Sequence, residues 1–177
     1  MRHLLETPLA YHPSMAVYSI REAAVADVRV LTDMMVEAAN WNAVAPRPRS
    51  AVLADAQHTR YVHGWRRPGD AGVVAVGQDG APVGACWYRL FPSDAPGFGY
   101  VAGGVPELIL GVSPIHRAQG VGRQLLRATV QLARAAGYQR ISLSVERANH
   151  AVSLYRTEGF ATVDRRGSRD TMVLNLR

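Results

Sequence analysis

The sequence predicts a mixed α/β layer fold, in which helices pack against a central β-sheet. Two β-rich runs flank an Asp-Gly turn within 71–91, which is typical of a hairpin. A strand–helix–strand pattern follows within 105–145, and two more strand patterns end the chain. The length of 177 residues, with 48% hydrophobic and 19% charged residues, suits one folded domain with a sizeable core.

Periodicity and turn residues set the limits of each element. Val28, Leu31 and Met35 share one face of a helix, whereas alternating apolar residues mark the strands. Gly137 and Gly159 close two helices as left-handed caps. The predicted elements are, in order, a strand at 17–21, a helix within 23–40, one or two short helices within 51–65, a hairpin within 71–91, a strand at 105–113, a helix at 120–136, a strand at 140–145, a short helix within 149–159, and strands at 160–164 and 171–176.

Composition narrows the classes of function. All 20 basic residues are arginine, and the formal net charge is +6. Without lysine, no Schiff base or other lysine chemistry is available to the chain. Abundant Ala, Val, Gly and Pro accompany the arginines, as a GC-rich coding sequence would give. Because basic residues do not interleave with aromatic residues in any recognised RNA-binding motif, we expect no nucleic-acid partner.

The same composition bears on location and on domain organisation. The single cysteine, Cys86, excludes an internal disulfide framework and suits a reducing cytoplasm. No apolar run approaches the ~18 residues of a transmembrane helix, so we expect no membrane partner. Residues 1–15 lack a signal-peptide pattern and are interpreted as an N-terminal extension that need not be ordered. A single domain is expected at 16–177.

The stretch Arg117-x-x-Gly120-x-Gly122, between a strand and a helix, predicts an anion site. The N–H groups at a helix N-terminus carry partial positive charge, and glycines let an anion approach the backbone. The loop lacks the Gly-Lys-Ser/Thr of a Walker loop and the third glycine of a dinucleotide fingerprint. Taken alone, it is equally consistent with an ordinary strand-to-helix turn.

A second stretch, "ERANHAVSLYRTEGF" at 146–160, contributes Asn149, Tyr155 and the Gly159-Phe160 pair. Together with the loop and the order of elements, it resembles the Gcn5-related N-acetyltransferase (GNAT) superfamily from about residue 16 to the C-terminus. The resemblance implies a GNAT-like fold, whose central twisted mixed β-sheet has about six to seven strands flanked by about four helices. It also implies acetyl-CoA as the co-substrate.

The resemblance further implies how coenzyme A is held. Backbone amides of the loop bind the diphosphate, and the pantetheine arm pairs with the strand before the loop. Arg123 either reaches a phosphate of coenzyme A or belongs to a solvated helix face. Gly111 either clears space for the thioester or marks a β-bulge. Asn149 contacts the pantetheine arm, caps its helix, or does both. The implied cofactor-binding residues are Leu110, Gly111, Val112, Arg117, Ala118, Gln119, Gly120, Val121, Gly122, Arg123, Asn149 and Tyr155.

Two residues are candidates for catalysis in the implied reaction. Tyr155 is the general acid that protonates the CoA thiolate, or it packs in the core. Glu107 is the general base, directly or through a water, or it is a surface carboxylate at a strand end, and Glu146 is a less favoured carboxylate. Cys86 lies within a strand pattern and is interpreted as a buried apolar residue rather than a nucleophile. No residues have metal-ligand spacing, so we expect no metal.

The resemblance therefore implies an N-acetyltransferase that acts on a primary amine through a ternary complex. The alternatives are a non-catalytic acyl-CoA sensor of the same fold and a transferase of a longer acyl group. The resemblance implies that the acceptor, a small-molecule or peptide amine, binds between residues 40–50, 91–104 and 164–170. Trp41 lines this site or caps the core, and Phe98 is an apolar anchor of a mobile lid formed by 91–104. A homodimer is common among similar proteins, but no interface can be identified from the sequence.

Overall fold

Seven strands form one sheet in the computed structural model of the chain, which describes residues 17–42 and 44–177. Their order across the sheet is β1-β2-β3-β4-β5-β7-β6, and all neighbours are antiparallel except β4 and β5. This mixed sheet confirms the predicted fold class. The strands are β1 Tyr18–Glu22, β2 Ala71–Gly77, β3 Pro82–Arg89, β4 Glu107–Val112, β5 Arg140–Glu146, β6 Ala161–Arg166 and β7 Arg169–Asn175.

The described residues contain five helices, because the segment predicted to form one or two short helices forms two. The predicted extension at 1–15 lies outside the described residues. Within the described residues, no helix combines the length and the apolar character needed to cross a membrane. The helices are α1 Val28–Ala39, α2 Arg49–Leu53, α3 Ala56–Thr59, α4 Val121–Ala135 and α5 Ala151–Thr157, with short 3-10 turns at Val25–Asp27 and Pro114–His116.

The sheet separates two apolar layers, as the side chains of β3 show. Cys86 and Tyr88 join the layer on one face, and Ala85 and Trp87 join the other, because successive side chains of a strand alternate. Helices α4 and α5 cover the first face. Helices α1 and α2 and the segment 61–65 cover the second.

Strands β4 and β5 are parallel and are connected through α4, yet they are paired at only one position. Glu107 lies opposite Ser142, whereas every other pair of neighbouring strands is matched over five to seven positions. Beyond Glu107, the edge of β4 that faces β5 therefore has no strand partner. The sheet opens at this edge, next to the loop that leads into α4.

A buried ion pair fixes the chain that follows α3. A terminal nitrogen of Arg89, at the end of β3, lies 2.5 Å from Asp70 Oδ2, and both side chains are excluded from solvent. The other terminal nitrogen of Arg89 donates to the carbonyls of Arg60 and His63, each at 2.8 Å. The pair thus holds the main chain on both sides of Tyr61 against the sheet.

Replacement of Arg89 should destabilise the fold strongly. In Arg89→Met, the Asp70 carboxylate stays buried without its cation, which typically costs about 3–5 kcal/mol of unfolding free energy. The double variant Arg89→Met/Asp70→Asn should recover part of that loss, because it buries no charge. Urea denaturation followed by tryptophan fluorescence measures both. Equal unfolding midpoints for Arg89→Met and the unmodified chain would contradict this account.

Candidate active site

The loop between β4 and α4 presents six consecutive backbone N–H groups without acceptors. The Arg117 amide bonds the Pro114 carbonyl and the Gln124 amide bonds the Gly120 carbonyl, but the amides of residues 118–123 donate no hydrogen bond of standard geometry within the described residues. A Cβ added at Gly120 would meet nothing within 4 Å, so the space beside this backbone is open. Such a row of amides at a helix N-terminus favours an anion.

Positive φ angles shape this loop. Gly120, directly before α4, has φ 82°, and Ala118 has φ 58°. Glycine adopts the left-handed region without the steric cost that a Cβ imposes, which explains the residue type at 120. The predicted glycine caps at the helix ends also have positive φ, at 86° for Gly137 and 97° for Gly159, and are confirmed.

The arginines of the loop make protein contacts with their side chains. Arg117 Nε donates to the Val112 carbonyl at 3.1 Å, and a terminal nitrogen lies 3.3 Å from Glu37 Oε2 on α1. Arg123 pairs with Glu158, at the end of α5. The two side chains therefore fix the loop to α1 and the start of α4 to α5, while the backbone N–H groups remain exposed to a ligand.

The unpaired edge of β4 lies beside this loop. A Cβ added at Gly122 would lie 3.6–3.7 Å from side-chain atoms of Leu110, Val112 and Leu154, so β4, the first turn of α4 and α5 meet there. A Cβ at Gly111 would lie 2.2 Å from the Met34 carbonyl oxygen. The residue at 111 is thus glycine because α1 packs closely against β4, and the bulge interpretation is unnecessary.

The second motif places Asn149 just before helix α5 and Tyr155 within it. Asn149 Oδ1 accepts from the Ala151 amide, the first of the helix, at 2.9 Å, although His150 and not Asn149 directly precedes α5. Tyr155 is buried, and its ring packs edge-on against Phe160 at 5.8 Å between centroids. Burial raises the pKa of Tyr155 above its ordinary value, and the nearby Cys86 thiol adds to the rise. The hydroxyl therefore keeps its proton at neutral pH.

Cys86 is not a nucleophile in this structure. Its side chain is fully buried, and burial raises the pKa of the thiol to about 12. Since the thiolate is the reactive form, the interpretation as a buried apolar residue is confirmed. Among residues 17–42 and 44–177, no group of three or more His, Cys, Asp or Glu side chains is placed to hold a metal ion.

Glu107 is buried at the point where β4 and β5 diverge. Its exposed fraction is 2%, so the interpretation as a surface carboxylate was wrong. Burial raises the pKa of Glu107 to about 7, although the Tyr61 hydroxyl, the Gly99 amide and the guanidinium groups of Arg169 and Arg60 act in the opposite direction. A carboxyl with this pKa exchanges a proton near neutral pH, as a general base must.

A glycine-flanked segment, residues 97–99, covers the Glu107 carboxyl. A Cβ at Gly97 would lie 2.3 Å from one carboxylate oxygen, and a Cβ at Gly99 would lie 2.6 Å from the other. The Tyr61 hydroxyl accepts from the Phe98 amide at 2.8 Å and lies beside the carboxyl. Within the described residues, neither carboxylate oxygen has a hydrogen bond of standard geometry. Sequence reasoning missed Tyr61, but the Gly-Phe-Gly stretch was a usable signal of close backbone approach.

An open cleft of about 500 Å³ lies on the outer side of this segment. Gly97 and Phe98 form one wall, and Arg166, Arg169 and Thr171 of the β6–β7 hairpin form another. Two of the three expected segments, 91–104 and 164–170, therefore contribute to this cleft, whereas no described residue of 40–50 lines it. Trp41 lies nearby rather than in the cleft lining, and its Nε1 donates to Glu146 Oε2 at 2.8 Å.

Known proteins show the same fold and related sequences. A mycothiol acetyltransferase of Propionibacterium freudenreichii is 33% identical over 116 residues, which are 65% of this chain and 35% of that protein. The chain thus spans little more than a third of the length of the curated relatives that it matches.

Solved structures give the fold comparison. The GNAT domain of S. lividans PAT has a TM-score of 0.67 at 18% identity, and the match covers 96% of this chain and 99% of that domain. A putative acetyltransferase from Salmonella typhimurium, solved with acetyl-CoA, has a TM-score of 0.63 at 22% identity and covers 91% of this chain and 95% of its own.

The family comparison agrees with both. The family model described as "Acetyltransferase (GNAT) family" matches residues 33–160, which include the loop, the unpaired edge of β4, Glu107 and Tyr155. With these elements in place, the chain belongs to the GNAT family of acetyltransferases.

Proposed function

We propose that this chain transfers an acetyl group from acetyl-CoA to a primary amine by direct attack in a ternary complex. The observation that carries the proposal is a juxtaposition. The row of six unpartnered N–H groups adjoins the unpaired edge of β4, which begins beyond Glu107. Glu107 is buried at the start of this edge, and Tyr155 belongs to the apolar layer on the opposite face of the sheet.

The donor site would use backbone more than side chains. The amides of residues 118–123 would bind the diphosphate, and the edge of β4 at Leu110, Gly111 and Val112 would pair with the pantetheine arm. Arg117 and Asn149 would hold the local backbone in place. When bound, acetyl-CoA supplies an acetyl thioester. Structural neighbours solved with coenzyme A or acetyl-CoA support this assignment.

Two proton transfers fall to side chains of this chain. Glu107 takes a proton from the acceptor ammonium, because only the neutral amine is nucleophilic. Tyr155, which stays protonated at neutral pH, gives its proton to the departing sulfur, and the proton that the acceptor nitrogen loses on forming the amide restores the phenol. Since residues 97–99 cover the Glu107 carboxyl, transfer to it requires a displacement of that segment or an intervening water.

Alanine substitutions at two glycines, one in the loop and one at the far end of α4, test the anion site. Gly120 and Gly137 lie at opposite ends of α4, with φ 82° and 86°, and a Cβ at either would meet nothing within 4 Å. Alanine at each should therefore cost a similar amount, about 1 kcal/mol of stability. Only Gly120→Ala should weaken acetyl-CoA binding, about tenfold or more, because its Cβ occupies the space beside the free amides.

Isothermal titration calorimetry with acetyl-CoA measures this difference. Gly137→Ala is the matched control for backbone strain, and it should bind as tightly as the unmodified chain. Equal losses in the two variants would show that strain alone, and not the loop, controls binding. No heat of binding in the unmodified chain would refute the donor site itself.

Tyr155→Phe separates the enzyme from a non-catalytic acyl-CoA sensor. The substitution keeps the ring that packs on Phe160 and removes only the ionisable hydroxyl. We expect kcat to fall about 10²-fold, with acetyl-CoA affinity and thermal stability nearly unchanged. Release of free thiol and binding calorimetry provide the two readouts. An unchanged kcat would exclude Tyr155 as the general acid.

The pH profile tests Glu107. In the unmodified chain, kcat/KM should rise as the pH passes about 7, the pKa at which Glu107 loses its proton. In Glu107→Gln, the rate should fall about 10²-fold and lose this inflection. A profile that keeps its inflection in the variant would assign the base to another group.

The pH dependence of the unfolding free energy measures the titration of Glu107 independently of activity. Burial raises the pKa of Glu107 in the folded chain from an ordinary value of 4.5 to about 7, so the folded state binds the proton more tightly than the unfolded state. Stability should then fall as the pH rises through this window. Between pH 5 and pH 8, the unmodified chain should lose about 2–3 kcal/mol more than Glu107→Gln in urea titrations. Parallel pH dependences would mean that the carboxyl is not buried.

A further inference from the structure

The cleft beside residues 97–99 is lined by an excess of positive charge. Arg60, at the end of α3, and Arg166 and Arg169, on the β6–β7 hairpin, face the cleft with one carboxylate, Asp94. Arg166 and Arg169 are direct partners in the hairpin register, so their side chains leave the same face. Three guanidinium groups from two separate elements therefore converge on one space.

Each of these guanidinium groups uses only some of its N–H donors in hydrogen bonds to the protein. Arg60 bonds the carbonyls of Ala56 and Pro96, and Arg166 Nε bonds Asp164. Arg169 Nε donates to Ser144 Oγ at 2.8 Å. Within the described residues, Nη2 of Arg60, Nη2 of Arg169 and both Nη atoms of Arg166 make no hydrogen bond. The cleft thus contains oriented cationic donors without partners.

The orientation of Arg169 is fixed before any ligand binds. Its guanidinium lies 4.6 Å from the centroid of the Phe98 ring, and a terminal nitrogen lies 3.5 Å from Glu146 Oε1. Stacking on Phe98 and the hydrogen bond to Ser144 hold the planar guanidinium of Arg169 in one position. This order reduces the conformational entropy that is lost when an anion binds.

The cleft is next to the candidate base. Gly97 and Phe98 line the cleft on one side, and residues 97–99 cover Glu107 on the other. Arg169 and Arg60 are both near enough to the Glu107 carboxyl to lower its pKa against the effect of burial. A ligand whose anionic end contacts these arginines can therefore extend its other end toward Glu107.

We propose that this cleft binds the acceptor, and that the acceptor is a primary amine with an anionic group, a carboxylate or a phosphate, held by Arg60, Arg166 and Arg169. The proposal rests on the proposed acetyl transfer and names its substrate class. Guanidinium forks match both anions through paired hydrogen bonds. Asp164 and Glu146 pair with Arg166 and Arg169, and Asp94 also lines the cleft, but the free Nη donors of the three arginines suit an anionic group better than a neutral amine or a polyamine.

Matched amine pairs test the substrate class in the unmodified chain. Each pair differs in one anionic group, which the second member lacks: O-phosphoethanolamine against ethanolamine, and β-alanine against β-alaninamide. With saturating acetyl-CoA, kcat/KM from thiol release should be at least about tenfold higher for the anionic member of one pair. The pair that shows the preference identifies phosphate or carboxylate as the recognised group.

Variants at two adjacent arginines localise the preference. Arg166→Gln removes a cleft guanidinium at an exposed hairpin position, and the ratio of kcat/KM between the anionic and neutral amines should fall about fivefold to tenfold, mainly through KM. Arg165→Gln is the control, because Arg165 faces the other side of β6, toward Asp170, and does not line the cleft. An equal fall in the ratio for both variants would overturn the assignment of the cleft.

A binding measurement keeps this inference separate from the proposed function. Saturation-transfer NMR of the four amines on the unmodified chain should detect the anionic members, and Arg166→Gln should weaken their signals. Equal signals within each pair, or faster acetylation of the neutral members, would overturn the anionic substrate class and leave acetyl transfer standing. Absence of acetyl-CoA binding by calorimetry would instead refute the proposed function, and with it the acceptor role of the cleft.

Discussion

The divergence of β4 and β5 is the constraint on which the rest of the site depends. Two parallel strands connected through a helix ordinarily pair along their length, but here pairing ends at Glu107 and Ser142. The backbone of β4 beyond that point needs other hydrogen-bond partners, since unsatisfied peptide groups are costly when they are covered. In the proposed complex, the pantetheine arm of acetyl-CoA would supply them. The same divergence turns the chain so that α4 begins beside the exposed edge.

Close packing behind β4 keeps this edge in place. Gly111 allows the backbone of α1 to approach β4 to a distance that no side chain would permit. Arg117 then connects the Val112 carbonyl, at the end of β4, with Glu37 on α1. The strand is held from the face that carries α1, so its free edge and the loop amides form one rigid surface.

Burial has different consequences for the two ionisable groups near that edge. It raises the pKa of Glu107 from an ordinary value of 4.5 to about 7, so the carboxyl exchanges its proton near neutral pH. It also raises the pKa of Tyr155, whose ordinary value is 10.0, and thereby keeps the phenol protonated. One physical cause therefore yields a carboxyl that titrates near neutral pH on one face of the sheet and a phenol that stays protonated on the other.

The parts of this structure that the sequence predicts are those controlled by local residues. Alternation, the Asp-Gly turn and the caps at Gly137 and Gly159 determined the elements, and the glycine loop indicated an anion site. The burial of Glu107 was not predictable in this way, because it depends on Tyr61, which is distant in sequence, and on the irregular segment 97–99, and neither carries a periodic signal. Tertiary packing alone brings them together.

The arginine content illustrates the same limit. From composition, 20 arginines and a net charge of +6 indicate only a basic chain. In the structure, Arg89 and Arg123 are matched with Asp70 and Glu158, so their charges stabilise contacts between elements. Arg166 and Arg169, which line the cleft beside residues 97–99, are also paired, with Asp164 and Glu146, but within the described residues each keeps at least one Nη group without a hydrogen bond. A basic composition therefore predicts an anionic ligand only where folding leaves guanidinium N–H donors close together and without partners.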